Sequence, residues 1–240
     1  MSVSNSPNPP IENQILAALS AAEYQRLVPH LERVEFKNKQ ILYEVGEPIT
    51  HVYFPHQAII SLVSNLEDGS TVEVGIVSND GMVGLPVIWG GNTTTTTAFV
   101  QVADGGMKMK ALPLIAEFNR GSELQRLLLR YTQALFTQVT QTAVCNRVHT
   151  VEERLARWLL IVSDRMQSDK FLLTQEFIGE MLGCRRSGVT VAAGILSRAG
   201  IITYRRGHIT ILNREHLLDV SCECYSITKN EYARLLSKQS

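Results

Sequence analysis

The chain contains 240 residues, of which 45% are hydrophobic, and its 23 basic and 23 acidic side chains give no formal net charge. That length supports one large hydrophobic core or two modest ones, so two domains are expected. No run of eighteen apolar residues occurs, and residues 1–10 lack the basic start and apolar centre of a secretory signal. The composition therefore predicts a cytoplasmic protein with no membrane contact.

The N-terminal residues offer little apolar surface to bury. Ser, Asn and Pro dominate residues 1–10, which predicts a disordered leader. An amphipathic helix should follow, and we assign residues 1–19 to the leader and this first helix. Ser20 stands three residues before Glu23, a spacing typical of a capped helical turn.

Between residues 34 and 109 the hydrophobic period changes to two, in short runs separated by Gly, Asp and Pro turns. The runs cover residues 40–45, 51–54, 58–64, 71–77 and 98–102. Short strands at near-regular spacing predict an antiparallel barrel of the jelly-roll type, which we place at residues 20–121. The threonine run 93–97 is expected to be a loop that leads into a strand.

Beyond Pro113 the pattern becomes helical. A short helix is expected to Asn119, and Ser122 is expected to cap a long helix over residues 122–149. Apolar residues on the long helix alternate by four and three positions in a heptad-like seam. We interpret this as a dimerisation helix whose seam meets a twin helix, with packing on its own domain as the alternative. The seam residues are Leu124, Leu128, Tyr131, Leu135 and Gln138.

Residues 150–225 carry the signals of a winged helix-turn-helix. Helices are expected over 150–166, from the capping hydroxyl of Thr174 onward, and over 186–199. A glycine, Gly183, lies between the last two helices, as a tight turn requires.

Two strands on either side of Arg205-Arg206-Gly207 would form the wing of this motif. The remaining residues, 226–240, are expected to form a C-terminal tail.

Charge is distributed unevenly along the chain. The 34 residues between Glu180 and Glu215 contain six arginines and no carboxylate, a local charge of +6. Residues 1–180 carry 14 basic against 19 acidic side chains (net −5), and residues 215–240 carry 3 against 4 (net −1). A local cationic surface attracts polyanions, and nucleic acid is the commonest partner of such a surface.

Three segments carry more specific motifs. The first runs from Leu173 to Thr190 (LTQEFIGEMLGCRRSGVT), the second covers 206–212 (RGHITIL), and the third is Cys222-Glu223-Cys224-Tyr225. With these motifs the chain resembles bacterial transcription regulators of the Crp/Fnr family from about residue 20 to 225. The third segment resembles the ending of one large subgroup.

The resemblance implies an α+β fold with a cupin-like, cyclic-nucleotide-binding-like barrel, a long dimerisation helix and a C-terminal winged helix-turn-helix. It also implies a homodimer that binds double-stranded DNA and regulates transcription, with RNA polymerase as a further candidate partner.

The residue types at the start of the helix expected over 186–199 favour DNA binding independently of the family resemblance. Arginines at the start of a helix in the major groove can bind guanine with two hydrogen bonds, so Arg185 and Arg186 lead the candidates. Val191 offers a methyl contact to thymine, and the wing is expected to touch phosphate. The predicted DNA-binding residues are Thr174, Gln175, Arg185, Arg186, Ser187, Thr190, Val191, Arg205, Arg206 and His208. A solvated basic face is the alternative.

The reading helix departs from the best-known family members, which commonly show an Arg-Glu-Thr or Glu-x-x-Ser-Arg reader. This chain has Arg186-Ser187-Gly188 instead, so its operator cannot be copied from theirs. Gly188 and Gly194 each weaken the helix by roughly 1 kcal/mol relative to alanine. Tight contact with the preceding helix or close approach to DNA would explain them.

The effector site also departs from the family pattern. Cyclic-nucleotide-binding relatives hold the ribose with a Gly-Glu pair and the phosphate with an Arg-Ser pair. The matching positions here, which we take as the candidate effector pocket, are Gly81, Met82, Val83, Gly84, Leu85, Thr96 and Thr97. A buried phosphate would lack its charged partner, so we predict no cyclic AMP binding and no cofactor. The barrel is then a vestigial scaffold or holds a less charged effector.

Four cysteines in a chain of this length are too sparse for a disulfide scaffold. None precedes Cys145, so the N-terminal array that binds iron–sulfur clusters in some relatives is missing. Cys222 and Cys224 with His216 have suitable donors for a metal, yet a Cys-x-Cys pair on a helix would point its thiols apart. We therefore predict no metal site, and we expect Cys184 to be a small buried residue.

Catalytic motifs are missing from the sequence. The six histidines show no His-x-His or His-Glu-x-x-His spacing, and neither a Gly-x-Ser-x-Gly elbow nor a Gly-Lys-Thr phosphate loop occurs. His51 and His56 lie on either side of Pro55 and are not expected to converge on a metal. No catalytic residue is predicted and the chain is not expected to be an enzyme. The alternative to a regulator is an effector-sensing or protein-binding scaffold without DNA contact.

Overall fold

The computed structural model describes residues 11–236, so the leader expected over 1–10 lies outside the described residues. Two short helices come first, α1 (Gln14–Ala18) and α2 (Ala21–Leu27). Ser20 caps α2, because its hydroxyl accepts a hydrogen bond from the Glu23 amide at 3.3 Å. These helices pack on the core of the strands that follow.

Seven strands form the N-terminal domain: β1 (Glu32–Glu35), β2 (Ile41–Tyr43), β3 (His51–Pro55), β4 (Ile59–Asn65), β5 (Thr71–Val77), β6 (Thr97–Val102) and β7 (Gly105–Lys110). All their pairings are antiparallel, which confirms the predicted sheet domain. They form two sheets, ordered β1-β7-β3 and β2-β6-β4-β5, and no closed barrel within residues 11–236. The sheets are joined by side chains in a shared core instead of by hydrogen bonds around a ring.

Both faces of the four-stranded sheet are buried. Ile60 of β4 belongs to the first core, together with Val52 and Phe54 of the facing sheet. Its neighbours Ile59 and Val63 belong to a second core, shared with the C-terminal domain. Burial on both faces explains why apolar residues occupy adjacent positions of β4, at Ile59-Ile60 and Leu62-Val63, since a strand with one exposed face would alternate with polar residues.

Helices dominate the rest of the chain: α3 (Ala111–Phe118), α4 (Glu123–Val148), α5 (Val151–Met166), α6 (Gln175–Leu182), α7 (Arg186–Arg198), α8 (Arg214–Val220) and α9 (Cys224–Leu236). A small antiparallel sheet accompanies them: β8 (Lys170–Leu172), β9 (Ile202–Arg205) and β10 (His208–Ile211), in the order β8-β10-β9. The predicted wing strands therefore form, together with a third strand, β8, that the sequence pattern did not indicate.

The start of α4 is capped from outside the helix. Ser122 lies at the predicted capping position, but its side chain makes no capping hydrogen bond. A carboxylate oxygen of Glu23 accepts from the Leu124 amide at 3.3 Å instead. A negative charge at a helix N-terminus is stabilising, so α2 fixes the point where the long helix begins.

The seam predicted on α4 does not face a twin helix. All five seam residues are buried within their own chain, and the most accessible of them, Leu135, is only 6% exposed. Tyr131 meets the ring of Tyr232 edge-on at 6.4 Å, and the Gln138 side chain accepts from the Ile76 amide at 2.6 Å. The expected dimer seam is therefore corrected to an intramolecular one, because the sheet domain and α9 already cover this face.

Residues 226–236, expected to be a tail, lie in α9, which packs along α4. Thr228, Tyr232 and Leu235 are buried in this contact. The Tyr232 hydroxyl accepts a hydrogen bond from the Gln138 amide nitrogen at 3.0 Å. The C-terminal helix is thus part of the core, whereas residues 237–240 lie outside the described part of the chain.

A buried carboxyl group joins the two domains. Glu73 of β5 is 5% exposed, and its Oε1 accepts a hydrogen bond from Trp158 Nε1 of α5 at 3.0 Å. Burial is the largest influence on this group and raises its pKa to about 7, because a charged carboxylate is poorly solvated there. Nearby hydrogen-bond donors and the charges of Arg165 and Arg157 oppose this increase without cancelling it.

We predict that Glu73 makes the free energy of unfolding decrease as the pH rises. Its pKa is raised in the folded chain, so its stabilising contribution is complete below about pH 4.5 and is lost by about pH 7. The loss should be on the order of 3 kcal/mol. Glu73→Gln keeps the acceptor for Trp158 and should remove this slope, as measured by urea unfolding at several pH values. Glu67→Gln, at an exposed carboxylate, is the control; equal slopes for wild type and Glu73→Gln would contradict the assignment.

Candidate nucleic-acid interface

The helix-turn-helix is formed by α6 and α7. Thr174 caps α6 by accepting from the Phe177 amide at 3.2 Å, and Gly183 ends it with φ of +59°. The Cys184 amide donates to the Gly179 carbonyl at 2.9 Å, which holds the turn closed. A Cβ on Gly179 would lie 2.9 Å from the Cys184 carbonyl oxygen, so this glycine allows the close turn.

The helix α7 presents one polar face to solvent. Its apolar face, Val189, Ala192, Ala193 and Leu196, is buried in the second core. The predicted readers on the other face are exposed: Arg185, Arg186, Ser187, Thr190 and Val191. The Thr190 hydroxyl donates to the Gln175 side-chain oxygen at 2.8 Å, which links the readers of α7 to the start of α6.

The wing is fastened to the start of α6. Its turn uses two residues with positive φ, Arg206 at 53° and Gly207 at 83°. The Leu173 amide donates to the Gly207 carbonyl at 2.8 Å, and the Tyr204 hydroxyl donates to the Leu173 carbonyl at 2.7 Å. Burial raises the pKa of Tyr204 to about 12, so the phenol remains protonated and keeps donating at neutral pH.

Residues from α6, α7 and the wing line one concave surface, which encloses a volume of about 430 Å³. Four predicted DNA-binding residues line it: Thr174, Gln175, Arg186 and Arg206. Ser187 and Val191 line an adjacent hollow of about 340 Å³ beside Val151 of α5. The other four predicted residues, Arg185, Thr190, Arg205 and His208, are also exposed on this domain.

The two glycines of α7 have no tight neighbour. A Cβ on Gly188 would meet Val151 at 3.8 Å, and one on Gly194 would meet Arg198 at 3.5 Å. Both are ordinary van der Waals distances, so close packing with the preceding helix does not explain these glycines. The glycine that does pack closely is Gly179, which the sequence reasoning did not single out.

Two arginines have structural contacts that the sequence did not reveal. Arg154 of α5 is buried and donates to the Leu182 carbonyl at the end of α6. Arg214, the first residue of α8, donates to the Ser163 hydroxyl at 3.0 Å and pairs with Asp164. Arg214 therefore anchors α8 to α5.

The candidate effector segment is filled by the chain itself. Met82, Val83 and Leu85 are buried core residues, and the Tyr131 ring packs against Gly81 so closely that a Cβ there would overlap it. Gly84 has a φ of +100°, which favours glycine. The space beside this loop is therefore filled by the Tyr131 side chain of α4.

The two threonines of the candidate pocket have other partners. Thr97 accepts from the Asn65 side chain at 3.1 Å, and Thr96 lies 3.0 Å from the Thr94 hydroxyl. Thr97 and Phe99 line a cleft of about 650 Å³ between the four-stranded sheet and α6, which Phe177 also lines.

The thiols of Cys222 and Cys224 are not directed apart by a helix, contrary to the prediction. Cys222 precedes α9 and Cys224 begins it. His216 is engaged with Asn213 at 3.2 Å, and the cysteines lie instead with Cys145. Cys184 is only half-buried.

The two histidines weighed as enzyme ligands have separate partners. The Nδ1 atom of His51 lies 2.9 Å from the Thr50 hydroxyl. That of His56 lies 3.4 Å from a carboxylate oxygen of Glu12.

Comparison with known families gives two matches along the chain. The cyclic nucleotide-binding domain family matches residues 33–103, and the Crp-like helix-turn-helix domain family matches residues 153–220. A search of curated proteins found no match.

Solved structures with similar folds span almost the whole architecture. FixK2 from Bradyrhizobium japonicum is 19% identical with a TM-score of 0.69, covering 80% of this chain and 98% of its own. The c-di-GMP-responsive global regulator CLP of Xanthomonas campestris is 14% identical with a TM-score of 0.64, covering 80% and 99%. TTHB099, a Crp-family transcriptional regulator of Thermus thermophilus, is 19% identical with a TM-score of 0.65, covering 79% and 96%.

A nucleotide-binding-type sheet domain joined by a long helix to a Crp-like helix-turn-helix defines a DNA-binding transcription regulator. The chain belongs to the Crp/Fnr family. This family consists of regulators and not of enzymes, and its members bind DNA as dimers. In the described part of the chain, no helix has the length and apolarity needed to cross a membrane.

Proposed function

We propose that this chain is a homodimeric, sequence-specific regulator in which the start of α7 reads base edges and the wing holds phosphate. One observation carries the proposal: four of the six arginines in the carboxylate-free stretch lie exposed at these two places. They are Arg185 and Arg186 on α7, and Arg205 and Arg206 on the wing. A patch of single sign raises the local concentration of a polyanion and speeds its encounter.

The two arginine pairs would act differently on DNA. Arg186 is the first residue of α7, where a side chain reaches base edges when the helix lies in the major groove. Gln175 and Thr174 line the same concave surface as neutral donors and acceptors. Arg206 lies on the turn of the wing, where its charge would attract the phosphate backbone without reading sequence. Gly188 carries no side chain on this helix, and that would let the DNA backbone or a base approach it closely.

We propose that dimerisation uses the face of α4 opposite the buried seam. Leu129 and Phe136 are 51% and 68% exposed, and exposed Ala143 continues their spacing of seven residues. A heptad repeat of apolar residues on an exposed helix favours pairing with a second helix. In a symmetric dimer the two α7 helices would then read half-sites about 34 Å apart.

We also propose that the sheet domain does not bind cyclic AMP. The positions that would hold ribose and phosphate carry no guanidinium, and Tyr131 occupies the space beside Gly81. A phosphate buried there would lose its hydration without gaining a charged partner.

We predict that Arg186→Ala weakens DNA binding by about 10–100-fold and relaxes the sequence preference, because a base contact is lost. Arg206→Ala should weaken binding to all sequences alike and lower the salt slope by about 1. Fluorescence anisotropy on fragments selected from a genomic pool, at several salt concentrations, measures both effects.

Arg198→Ala is the matched control for both variants. It removes the same charge from the far end of α7 and should leave affinity nearly unchanged. If wild-type binding were independent of salt and of Arg186, the alternative of a protein-binding scaffold without DNA contact would be favoured.

We predict that Phe136→Asp increases the dimer dissociation constant at least about tenfold, since two like charges would face each other across the interface. Sedimentation equilibrium gives the constant. Leu112→Asp is the control, because Leu112 is 78% exposed and belongs to α3, outside the proposed face of α4. Equal self-association of both variants would exclude this face as the interface.

We predict that calorimetric titration with cyclic AMP or cyclic GMP gives no binding in the micromolar range. A regulator that responds to cyclic AMP, titrated in parallel, checks the ligand and the conditions. Micromolar affinity for either nucleotide would overturn this part of the proposal.

A further inference from the structure

Four side chains with metal-binding atoms converge at the C-terminal end of α4. Cys145 lies in the last turn of this helix and His149 follows its final residue. Cys224 begins α9, and Cys222 lies just before it in the chain. The ligand atoms of all four residues lie within 4.8 Å of one another. Three thiols and one imidazole are a donor set that binds Zn²⁺ in structural sites.

The distances fit one ion. The sulfur atoms of Cys145 and Cys222 are 3.5 Å apart, and the Cys224 sulfur lies 3.7 Å from Nδ1 of His149. In a tetrahedral site with Zn–S bonds of about 2.3 Å, neighbouring sulfur ligands are about 3.8 Å apart. A cluster of several iron atoms would need its ligands spread more widely, around an inorganic core.

The site is enclosed by protein. Cys145 and Cys224 have no exposed surface and Cys222 is 5% exposed, and the three form a separate small apolar cluster. The His149 side chain is 12% exposed. Four protein ligands, three of them buried thiols, leave no coordination position for solvent, which distinguishes a structural zinc site from a catalytic one.

The surroundings orient and balance the ligands. Nε2 of His149 lies 3.2 Å from a carboxylate oxygen of Glu223, so it can donate its proton there and leave the Nδ1 lone pair for a metal. Arg157 of α5 lines the same small cavity as Cys145 and is buried. Three thiolates and Zn²⁺ carry a net charge of −1, which this guanidinium offsets.

We propose that Cys145, His149, Cys222 and Cys224 bind one Zn²⁺ per chain. Any of the three thiols that is still protonated releases its proton to solvent as its sulfur bonds the ion. The ion would link the start of α9 to the junction of α4 and α5. At this junction the long helix α4 connects the sheet domain to the DNA-binding domain. Its role would be structural, holding this junction in one geometry.

Metal analysis of the full-length chain, purified without chelator, tests the proposal. We expect about one zinc per chain, and we expect Co²⁺ exchange to produce the intense visible absorption of a tetrahedral thiolate site. Cys145→Ser and Cys224→Ser should each lose most of the bound zinc. Cys184→Ser and His216→Ala remove the same residue types outside the cluster and should keep the full amount.

Glu223→Gln covers the case in which the cysteine variants fail to fold. It leaves all four ligands in place and should lower zinc affinity by about 10–100-fold in competition with a chelator, at unchanged stoichiometry. A wild-type chain that takes up neither zinc nor cobalt would overturn the site. A Cys145–Cys222 disulfide in the protein as isolated, or equal zinc loss in Cys184→Ser, would overturn it as well.

Discussion

The architecture depends on the burial of both faces of the four-stranded sheet. One face packs on the strands and helices of the N-terminal domain, and the other packs on α5, α6 and the rest of the C-terminal domain. Each buried aliphatic side chain contributes roughly 1.5–3 kcal/mol. The strand β4 contributes to both sides, with Ile60 in the first core and Ile59 and Val63 in the second. The DNA-binding domain is therefore docked on the sheet, and its orientation is set by apolar packing as well as by the helix that connects them.

Polar groups at the same boundary make that docking specific. Arg165 of α5 donates to Asp80 beyond β5 at 2.9 Å and lies 5.8 Å from the Tyr232 ring of α9. Trp158 reaches Glu73 from the same helix. Removing one partner of a buried pair leaves an unpaired group at a large cost, so these contacts fix one relative position of α5, the sheet and α9. Apolar packing alone is non-directional, so it would allow α5, the sheet and α9 to slide past one another.

The order of elements could be predicted from the sequence, whereas the partner of each face could not. Periodicity identified five of the seven strands of the N-terminal domain, but it missed β1 and β7. Thr174 and Gly183 bounded α6, and the exposed arginines of α7 followed from its amphipathic pattern. The same periodicity cannot tell an intramolecular seam from an intermolecular one, because Leu128 is equally apolar in both. Contacts between residues far apart in the chain, such as Cys145 with Cys222, leave no local signal at all. The wing strand β8 is three residues long and too short to show a period.

The hydrogen bond between Trp158 and Glu73 also limits which DNA-binding domains could replace the present one on this sheet domain. A different DNA-binding domain placed on this sheet would need an indole, or another donor, at one position over β5. Without it, the buried carboxyl group would lose its hydrogen bond to the C-terminal domain. The domains on the two sides of residue 150 therefore depend on each other, because a substitution at Glu73 or at Trp158 affects a contact that both domains share.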